Sequence, residues 1–401
     1  MKNMAEDNIP ENKYYSAIAY KLKWAKWLMI VFLVAFIFIG MILNSDELNF
    51  AGFGYILEYV NRQTSNKIVK TEYQIETDEG YSVRYYKSNI AVLRKSRIDI
   101  YDINGKKNFS SKLSYSSPVL KTSDKYILAY DSGTNKMEIF NSFSRLYEYK
   151  NDRPVYSAVI TDKGNVAYVT EAEEKGYNSA VYVMNSKFKM IYRCMFEKDY
   201  IMSADIDDKA ERLVVAGFSA RDGDYMSRII LYETKSTEPK KKIEISGEQP
   251  YIVKLNENGI FAIFENSFRV YNSDGDGILN YDFDYRTIQA MSLTEKLSAV
   301  VLNEKTLGID NRILIFDGLG NIIYDYVLSA EVIDIRFSSD CRFLYFLTRA
   351  GLYKIDTEQK TFELMTNEYD ETMDCIVYAN AKNIFLSGVL KINIIEIETD
   401  K

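Results

Sequence analysis

A short segment of alternating apolar and polar residues recurs eight times along the chain. Each copy ends in an apolar residue, which an acidic or amide residue follows. The copies are RIDIYD at 97–102, KMEIFN at 136–141, AVYVMN at 180–185, RIILYE at 228–233, SFRVYN at 267–272, RILIFD at 312–317, GLYKID at 351–356 and KINIIE at 391–396. Such alternation is typical of a β-strand with one buried face, so each copy predicts a strand.

The spacing of these strands is the main indication of the fold. Their last apolar residues are Tyr101, Phe140, Met184, Tyr232, Tyr271, Phe316, Ile355 and Ile395, which lie 39, 44, 48, 39, 45, 39 and 40 residues apart. A period of about 40 residues with strands throughout is typical of a β-propeller with four strands per blade. The sequence therefore predicts an all-β fold, a β-propeller of eight blades, or of seven if one copy is an extra hairpin.

Each repeat divides into four strands, which we denote a to d in chain order. In the fifth repeat they are expected at Tyr251–Leu255, Ile260–Phe264, Phe268–Tyr271 and Ile278–Phe283. The recurring copy is strand c, and the residue after it is expected to hydrogen-bond local backbone in the turn to strand d. The eighth repeat reaches Lys401 after its third strand. We therefore expect Ile68–Ile75 to supply the missing strand d, closing a propeller that spans residues 66–401.

A long apolar run precedes the repeats. Residues 27–45 contain no charged side chain, and a helix of about 20 apolar residues crosses a bilayer, so they predict a transmembrane helix. A cleaved signal peptide is the alternative, but no small-x-small cleavage site follows the run. The flanking charges are Lys13, Lys21, Lys23 and Lys26 before the run, and Asp46 and Glu47 after it.

This charge asymmetry predicts the orientation in a bacterial cytoplasmic membrane. By the positive-inside rule, residues 1–26 form a cytoplasmic tail and the propeller of this single-pass protein lies outside. Residues 46–65 are predicted to be a juxtamembrane linker or a short amphipathic helix.

The chain contains no histidine, which removes several classes of chemistry. Ser-His-Asp and Cys-His nucleophiles and histidine-containing zinc sites are excluded. Cys194, Cys341 and Cys375 are odd in number and match no metal-binding spacing. Residues 1–26 carry a net charge of +2 and the whole chain carries −7, so the rest of the chain carries −9. Such an acidic region does not suit a nucleic-acid partner. We predict no catalytic residue, metal, cofactor or nucleic-acid partner.

Unequal repeat lengths predict the position of a binding surface. The third, fourth and sixth repeats are longer, and their extra residues fall between strands b and c, at 171–179, 219–227 and 303–311. These turns lie at one end of the blades together with the connections between blades, where insertions commonly build binding surfaces. The candidate binding residues are Glu171, Glu173, Glu174, Tyr177, Arg221, Asp222, Asp224, Tyr225, Lys305 and Asp310. Neutral drift in permissive loops is the alternative interpretation.

Two other motifs have simple structural explanations. Asn272–Gly277 resembles the start of a calcium loop, but its twelfth position is Phe283 where a glutamate is needed, so a turn between strands c and d is expected. Asp205, Asp207 and Asp208 could act as a general acid and base, although a solvated turn after strand a accounts for them as well.

The IYDINGKK run at Ile100–Lys107 and the repeat period resemble those of quinoprotein-like and WD40-like propellers. Residues 20–401 resemble an uncharacterised family of Gram-positive bacterial proteins with a single membrane span and an extracytoplasmic propeller. Recurrent tryptophans and the Gly-His and Trp-Asp pairs of those propellers are missing, so their cofactor chemistry is not implied.

Three functions remain open at this point. The favoured one is a non-catalytic protein-interaction scaffold or sensor module, with a protein partner at the cell envelope. The alternatives are a binder of cell-envelope glycan or of a small ligand, and a carboxylate-based glycan hydrolase or lyase.

Overall fold

The computed structural model describes residues 20–32, 35, 72–74, 81–102, 105–150, 152–221, 224–303, 311–366, 372–380, 383–388 and 391–396. The chain divides into two compact units, Met1–Asn66 and Lys67–Lys401.

The first unit contains an α-helix at residues 20–32. Within the described part of the chain, no helix is both long enough and apolar enough to cross a membrane. Residues 33–34 and 36–45 of the predicted span 27–45, and all of the predicted linker 46–65, lie outside the described residues.

The second unit consists of eight antiparallel sheets of four strands. Blade 1 contains β2 (Tyr81–Tyr86), β3 (Asn89–Arg94), β4 (Arg97–Asp102) and β5 (Lys107–Lys112); blade 2 contains β6 (Pro118–Thr122), β7 (Ile127–Asp131), β8 (Lys136–Phe140) and β9 (Arg145–Glu148). Blade 3 contains β10 (Val155–Ile160), β11 (Val166–Glu171), β12 (Ser179–Met184) and β13 (Met190–Phe196); blade 4 contains β14 (Tyr200–Ile206), β15 (Arg212–Arg221), β16 (Asp224–Glu233) and β17 (Pro239–Ser246).

The remaining blades follow the same order. Blade 5 contains β18 (Pro250–Leu255), β19 (Gly259–Phe264), β20 (Ser267–Asn272) and β21 (Gly277–Asp282); blade 6 contains β22 (Ile288–Leu293), β23 (Leu297–Asn303), β24 (Asn311–Asp317) and β25 (Ile322–Leu328). Blade 7 contains β26 (Val332–Phe337), β27 (Phe343–Thr348), β28 (Gly351–Asp356) and β29 (Thr361–Thr366). Blade 8 contains β30 (Met373–Ala379), β31 (Asn383–Gly388), β32 (Lys391–Glu396) and β1 (Glu72–Gln74).

The prediction of an eight-bladed β-propeller is confirmed. Every recurring segment found in the sequence is the third strand of its blade, and it pairs antiparallel with the second. The alternative of seven blades and an extra hairpin is wrong, because each of the eight copies lies in its own four-stranded sheet.

The eighth sheet takes its outermost strand from the other end of the domain. Strand β1 pairs antiparallel with β32, with Glu72 opposite Asn393 and Gln74 opposite Lys391. The first and last strands of the domain thus share one sheet, and the edge of β32 is covered.

The turns after strand c follow the expected chemistry. The side-chain oxygen of Asp317 accepts hydrogen bonds from the backbone N–H groups of Leu319 (2.9 Å) and Asn321 (2.8 Å). Equivalent bonds are made by Asp102, Asn141, Asn185, Asn272 and Asp356. These residues therefore fix the turns, as predicted.

The core lies between adjacent blades. Strands b and c are buried on both faces because a neighbouring blade covers each side, whereas the positions of strand d are half-buried or exposed. Phe268 of blade 5 and Phe316 of blade 6 are fully buried, with ring centroids 4.4 Å apart. Blade-to-blade packing of this kind fixes the positions of the strand ends and of the channel around the axis.

Candidate functional site

Antiparallel order brings two kinds of connection together at one end of the blades, which we call the b–c end. It carries the turns between strands b and c and the connections from strand d to the next strand a. Their proximity is direct: in blade 2, the Gly133 N–H donates to the carbonyl oxygen of Val155 at the start of blade 3 (2.8 Å). The candidate binding residues that the structure describes belong to segments at this end.

The turn in blade 3 is held by ion pairs to neighbouring segments. Glu171 lies 3.6 Å from Arg153, and Glu174 lies 3.5 Å from Arg193, with all four side chains partly exposed. Glu173 is exposed. Exposed ion pairs contribute about 0–1 kcal/mol, so these two pairs add little to the stability of the turn.

Tyr177, in the same turn of blade 3, is only partly exposed. It is half-buried and packs against a core cluster that includes Tyr126, Tyr168 and Tyr182. The turn therefore folds back on the blade and leaves only part of the Tyr177 side chain exposed.

In blade 4 the extra residues extend two strands instead of forming a loop. Strands β15 and β16 pair up to Arg221 and Asp224, and Tyr225 lies opposite Ala220. Strand β17 stabilises the extension, since Met226 pairs with Ser246. The expectation of a loop at 219–227 is wrong for this reason. Asp222, and in blade 6 Lys305 and Asp310, lie outside the described residues.

Tyr225 belongs to an exposed aromatic group at the b–c end. The rings of Tyr200 and Phe218 are 6.2 Å apart, and those of Phe218 and Tyr225 are 5.6 Å apart in an edge-on arrangement. Tyr200 and Tyr225 are both exposed. Edge-to-face contacts of this kind hold aromatic side chains in place without covering them.

The structure adds a feature that the sequence analysis missed. In six innermost strands one residue near the start is bulged out of the pairing with strand b; the bulged residues are Tyr156, Met202, Tyr251, Gln289, Ile333 and Asp374. A bulge re-aims its side chain, and here the first three are about half exposed. The bulges thus present side chains at the b–c end.

Exposed aromatic and methionine side chains at this end come from blades 3 to 5 and from the connection into blade 6. They are Tyr156 (46%), Tyr200 (54%), Met202 (48%), Tyr225 (44%), Tyr251 (47%) and Tyr285 (76%), and we call this set the tyrosine arc. Tyrosine and methionine are enriched in the centres of protein interfaces. The arc is therefore a candidate interaction surface.

The carboxylates considered for catalysis have structural roles. Asp205 accepts a hydrogen bond from the Leu255 N–H (2.9 Å) and forms an ion pair with Lys254 (3.2 Å). Asp207 accepts from the N–H groups of Glu211 (2.7 Å) and Arg212 (3.1 Å), which fixes the turn after strand a. Asp207 thus lies in a turn after strand a, as that interpretation expects, whereas Asp205 is buried within strand β14 and is not part of a solvated turn.

A cavity of ≈ 400 Å³ lies beside these carboxylates, at the end opposite to the tyrosine arc. It is lined by Asp205, Asp208, Glu211, Glu257 and Glu295, with Lys209 and Arg212. Burial raises the pKa of Glu295; the charge of Lys254 opposes this shift, and the charges of Asp208, Asp162 and Asp205 add to it. Within the described residues no group of metal-binding side chains comes together.

The segment that resembles a calcium loop is a turn between strands c and d of blade 5. The Asn272 side-chain oxygen accepts from the N–H groups of Asp274 (2.9 Å) and Asp276 (2.8 Å). The two aspartates form ion pairs with Lys240 (2.9 Å) and Lys241 (3.1 Å) of blade 4. These ion pairs link blade 5 to blade 4.

The three cysteines are free thiols. Burial raises the pKa of Cys194 to about 12 and that of Cys375 to about 11. Because the thiolate is the nucleophile, neither is activated for chemistry.

Fold and site together define a repeat protein of the β-propeller class with an exposed aromatic end. Residues 60–397 match the family described as "Family of unknown function (DUF5711)", and the chain belongs to that family. No curated protein matches it in sequence.

Solved structures similar to the chain are also propellers. The C-terminal WD40 domain of Sif2 is 11% identical, with a TM-score of 0.56 over 83% of this chain and 100% of that chain. A eukaryotic initiation factor is 13% identical, with a TM-score of 0.54 over 80% of this chain and 86% of that chain. BamB from Moraxella catarrhalis is 7% identical, with a TM-score of 0.51 over 82% of this chain and 99% of that chain. At these identities the likeness concerns the fold alone.

Proposed function

We propose that the chain is a non-catalytic interaction scaffold or sensor module, anchored in the bacterial cytoplasmic membrane, whose extracytoplasmic propeller docks a partner protein at its b–c end. The observation that carries this proposal is the tyrosine arc, six exposed aromatic or methionine side chains presented by consecutive segments of a rigid ring. Exposed apolar side chains concentrated at one site mark interaction surfaces in soluble domains.

The chemistry of the arc favours a protein partner. Tyrosine supplies a large contact area with few rotatable bonds and a hydroxyl for hydrogen bonding, and it is enriched among residues that dominate binding energy. Exposed carboxylates such as Glu173 and Glu174 belong to the same end, where they suit a partner with basic groups around an apolar centre. A polar rim around an aromatic centre is the usual organisation of such interfaces.

The anchoring part of the proposal is supported by the sequence before the propeller. Residues 27–45 carry no charge, and lysines precede them while acids follow. We expect an epitope tag after Lys401 to be reached by antibody on intact protoplasts, and a tag before Met1 to be reached only after permeabilisation. The reverse pattern of labelling would place the propeller in the cytoplasm and contradict the anchoring proposal.

Photo-crosslinking in cells tests the docking surface. A photoreactive amino acid replaces Tyr156 or Tyr251, which lie on different blades of the arc. The controls are Tyr326, an exposed tyrosine on the outer strand of blade 6, and Leu319, exposed in a turn at the opposite end. We expect one discrete protein adduct from both arc positions and from neither control.

Alanine substitution of the same residues adds a quantitative result. Tyr251→Ala should weaken binding of the crosslinked partner by about tenfold or more, as for an interface residue that contributes over about 1 kcal/mol. The unfolding free energy should change by about 0.5 kcal/mol or less, because half-exposed surface residues contribute little to the core. Adducts with glycan, or equal adducts from arc and control positions, would overturn the proposal.

A further inference from the structure

Each blade places one residue of its innermost strand, strand a, at an equivalent position around the central channel. The residues are Arg84, Lys121, Val159, Asp205, Lys254, Ser292, Arg336 and Tyr378, and we call them the channel ring. In each blade, the last apolar residue of the recurring segment in strand c pairs with one residue of strand b. The ring residue pairs with the next residue of that strand b. The eight residues therefore occupy equivalent positions in a closed ring of strands.

The channel ring is strongly cationic in an acidic protein. It contains four basic residues and one carboxylate, Asp205, whereas the chain as a whole carries −7. Asp205 is paired with Lys254 at 3.2 Å. Three cations remain, Arg336, Arg84 and Lys121, from blades 7, 1 and 2, and we call these three the cationic arc.

The cationic arc occupies four consecutive blades of the ring. Blade 8, between Arg336 and Arg84, contributes Tyr378, whose ring stacks on that of Tyr85 at 3.9 Å. Asp334 lies two residues before Arg336, but its carboxylate accepts the N–H of Ile376 at 2.7 Å. Among the described residues, none of the three cations forms an ion pair.

The charges of the arc act on one another across the channel. Burial, then the charges of Arg84 and Lys254, lower the pKa of Lys121, although Asp205 opposes them. Burial, then the charge of Arg84, likewise lower the pKa of Arg336, although the charge of Asp334 opposes them. The Nε of Arg336 is buried and has no hydrogen-bond partner. A group of positive charges held close together, with an N–H donor that has no partner, is suited to binding an anion.

The site is reached by water. Lys121 has solvent-accessible surface even though protein surrounds it on most sides, which is the situation of a side chain in a narrow open channel. An arginine guanidinium presents a planar fork of N–H groups that matches the oxygens of phosphate or carboxylate. Two such forks and a lysine together match an anion with several oxygens and more than one charge.

We propose that the cationic arc binds a small oxyanion carrying at least two negative charges, of the phosphate or polycarboxylate type. The site lies around the channel, on residues other than those of the tyrosine arc. Bound anion neutralises the mutual repulsion of the three cations, so the loaded propeller is more resistant to unfolding than the free one.

Calorimetry on the full-length protein in detergent tests this assignment. The probes are inorganic phosphate, pyrophosphate and citrate at millimolar concentration, with sodium chloride at matched ionic strength as the reference. We expect saturable binding of at least one probe and a concentration-dependent rise in melting temperature. Binding of the phosphates alone would identify a phosphoryl ligand, and binding of citrate as well would identify a general polyanion site.

Three variants and one control separate binding from folding. Arg336→Gln, Arg84→Gln and Lys121→Gln should each weaken probe binding by about tenfold or more, since each removes a charge-assisted donor. Lys112→Gln, at an exposed position on the outer strand of blade 1, should bind like the unmodified chain. Without any probe, Lys121→Gln should melt at a higher temperature than the unmodified chain, because it relieves repulsion.

Two results would overturn the assignment. One is the absence of saturable binding of all three probes to the unmodified chain. The other is unchanged binding in folded Lys121→Gln and Arg84→Gln variants. Should one variant fail to fold, the other, on a different blade, still gives the comparison.

Discussion

A chain that begins at Glu79 is expected to lose the cooperative unfolding that a chain beginning at Lys67 retains. The shorter chain lacks β1, so β32 of blade 8 presents its unpaired edge to solvent. Three residue pairs are lost, and each backbone hydrogen bond contributes about 1 kcal/mol net, so the direct loss is roughly 2–4 kcal/mol. That is a large share of the about 5–15 kcal/mol that stabilises a typical domain.

Thermal unfolding of the two chains, followed by circular dichroism, provides the comparison. The chain from Lys67 is the matched control, because it contains the whole second compact unit. A synthetic peptide of residues 67–78 should restore the melting temperature of the shorter chain, by adding the missing strand to the exposed edge. Identical melting of both chains without peptide would show that closure contributes nothing to stability.

The strands of the propeller were predictable because their signals are local. The alternation and the following acidic or amide residue mark strand c in every repeat, and the side-chain bonds of Asp317 show why that residue type recurs. The pairing of Glu72–Gln74 with β32 falls within the segment 68–75 to which the incomplete eighth repeat pointed. Neither inference requires knowledge of how the blades pack.

Three members of the tyrosine arc, Tyr156, Met202 and Tyr251, were not predicted because these side chains lie at bulges. In two of these strands a signal for the bulge exists in the spacing of the buried apolar residues at the start of strand a, which is three and not two. Val155 and Ala158 are both buried, as are Ile201 and Ala204. A strand without a bulge buries every second residue, so this break in period two marks the extra residue that points outward.

The blade 4 extension and the channel ring were missed for different reasons. The segment 219–227 contains residues typical of turns, but pairing with β17 overrides that local preference. The ring residues Arg84 and Arg336 lie about 250 residues apart in sequence, and only the register of each strand a with strand b places them at one level. The ring residues come together only through the strand registers of eight separate blades, so no local sequence pattern marks them.

Replacing Glu138 by glutamine is expected to change how stability depends on pH. Glu138 lies on strand β8, its side chain is almost fully buried, and one of its carboxylate oxygens has no hydrogen-bond partner. Burial raises its pKa to about 7, although Arg145 at 3.8 Å opposes the shift. The folded chain therefore binds this proton more tightly than the unfolded chain, whose glutamate keeps a pKa near 4.5.

The sign of the effect follows from this difference in proton binding. Between about pH 4.5 and pH 7 the folded state holds more protons, so the unfolding free energy of the unmodified chain falls as pH rises. Glu138→Gln removes that fall, and at pH 8 it should be more stable than the unmodified chain by roughly 2–4 kcal/mol, at about 1.4 kcal/mol per pKa unit. At pH 4 the two chains should differ little. Denaturant unfolding at both pH values measures this, with Glu265→Gln, at an exposed turn in blade 5, as the control. An equal stability difference at pH 4 and pH 8 would show that folding does not shift the pKa of Glu138.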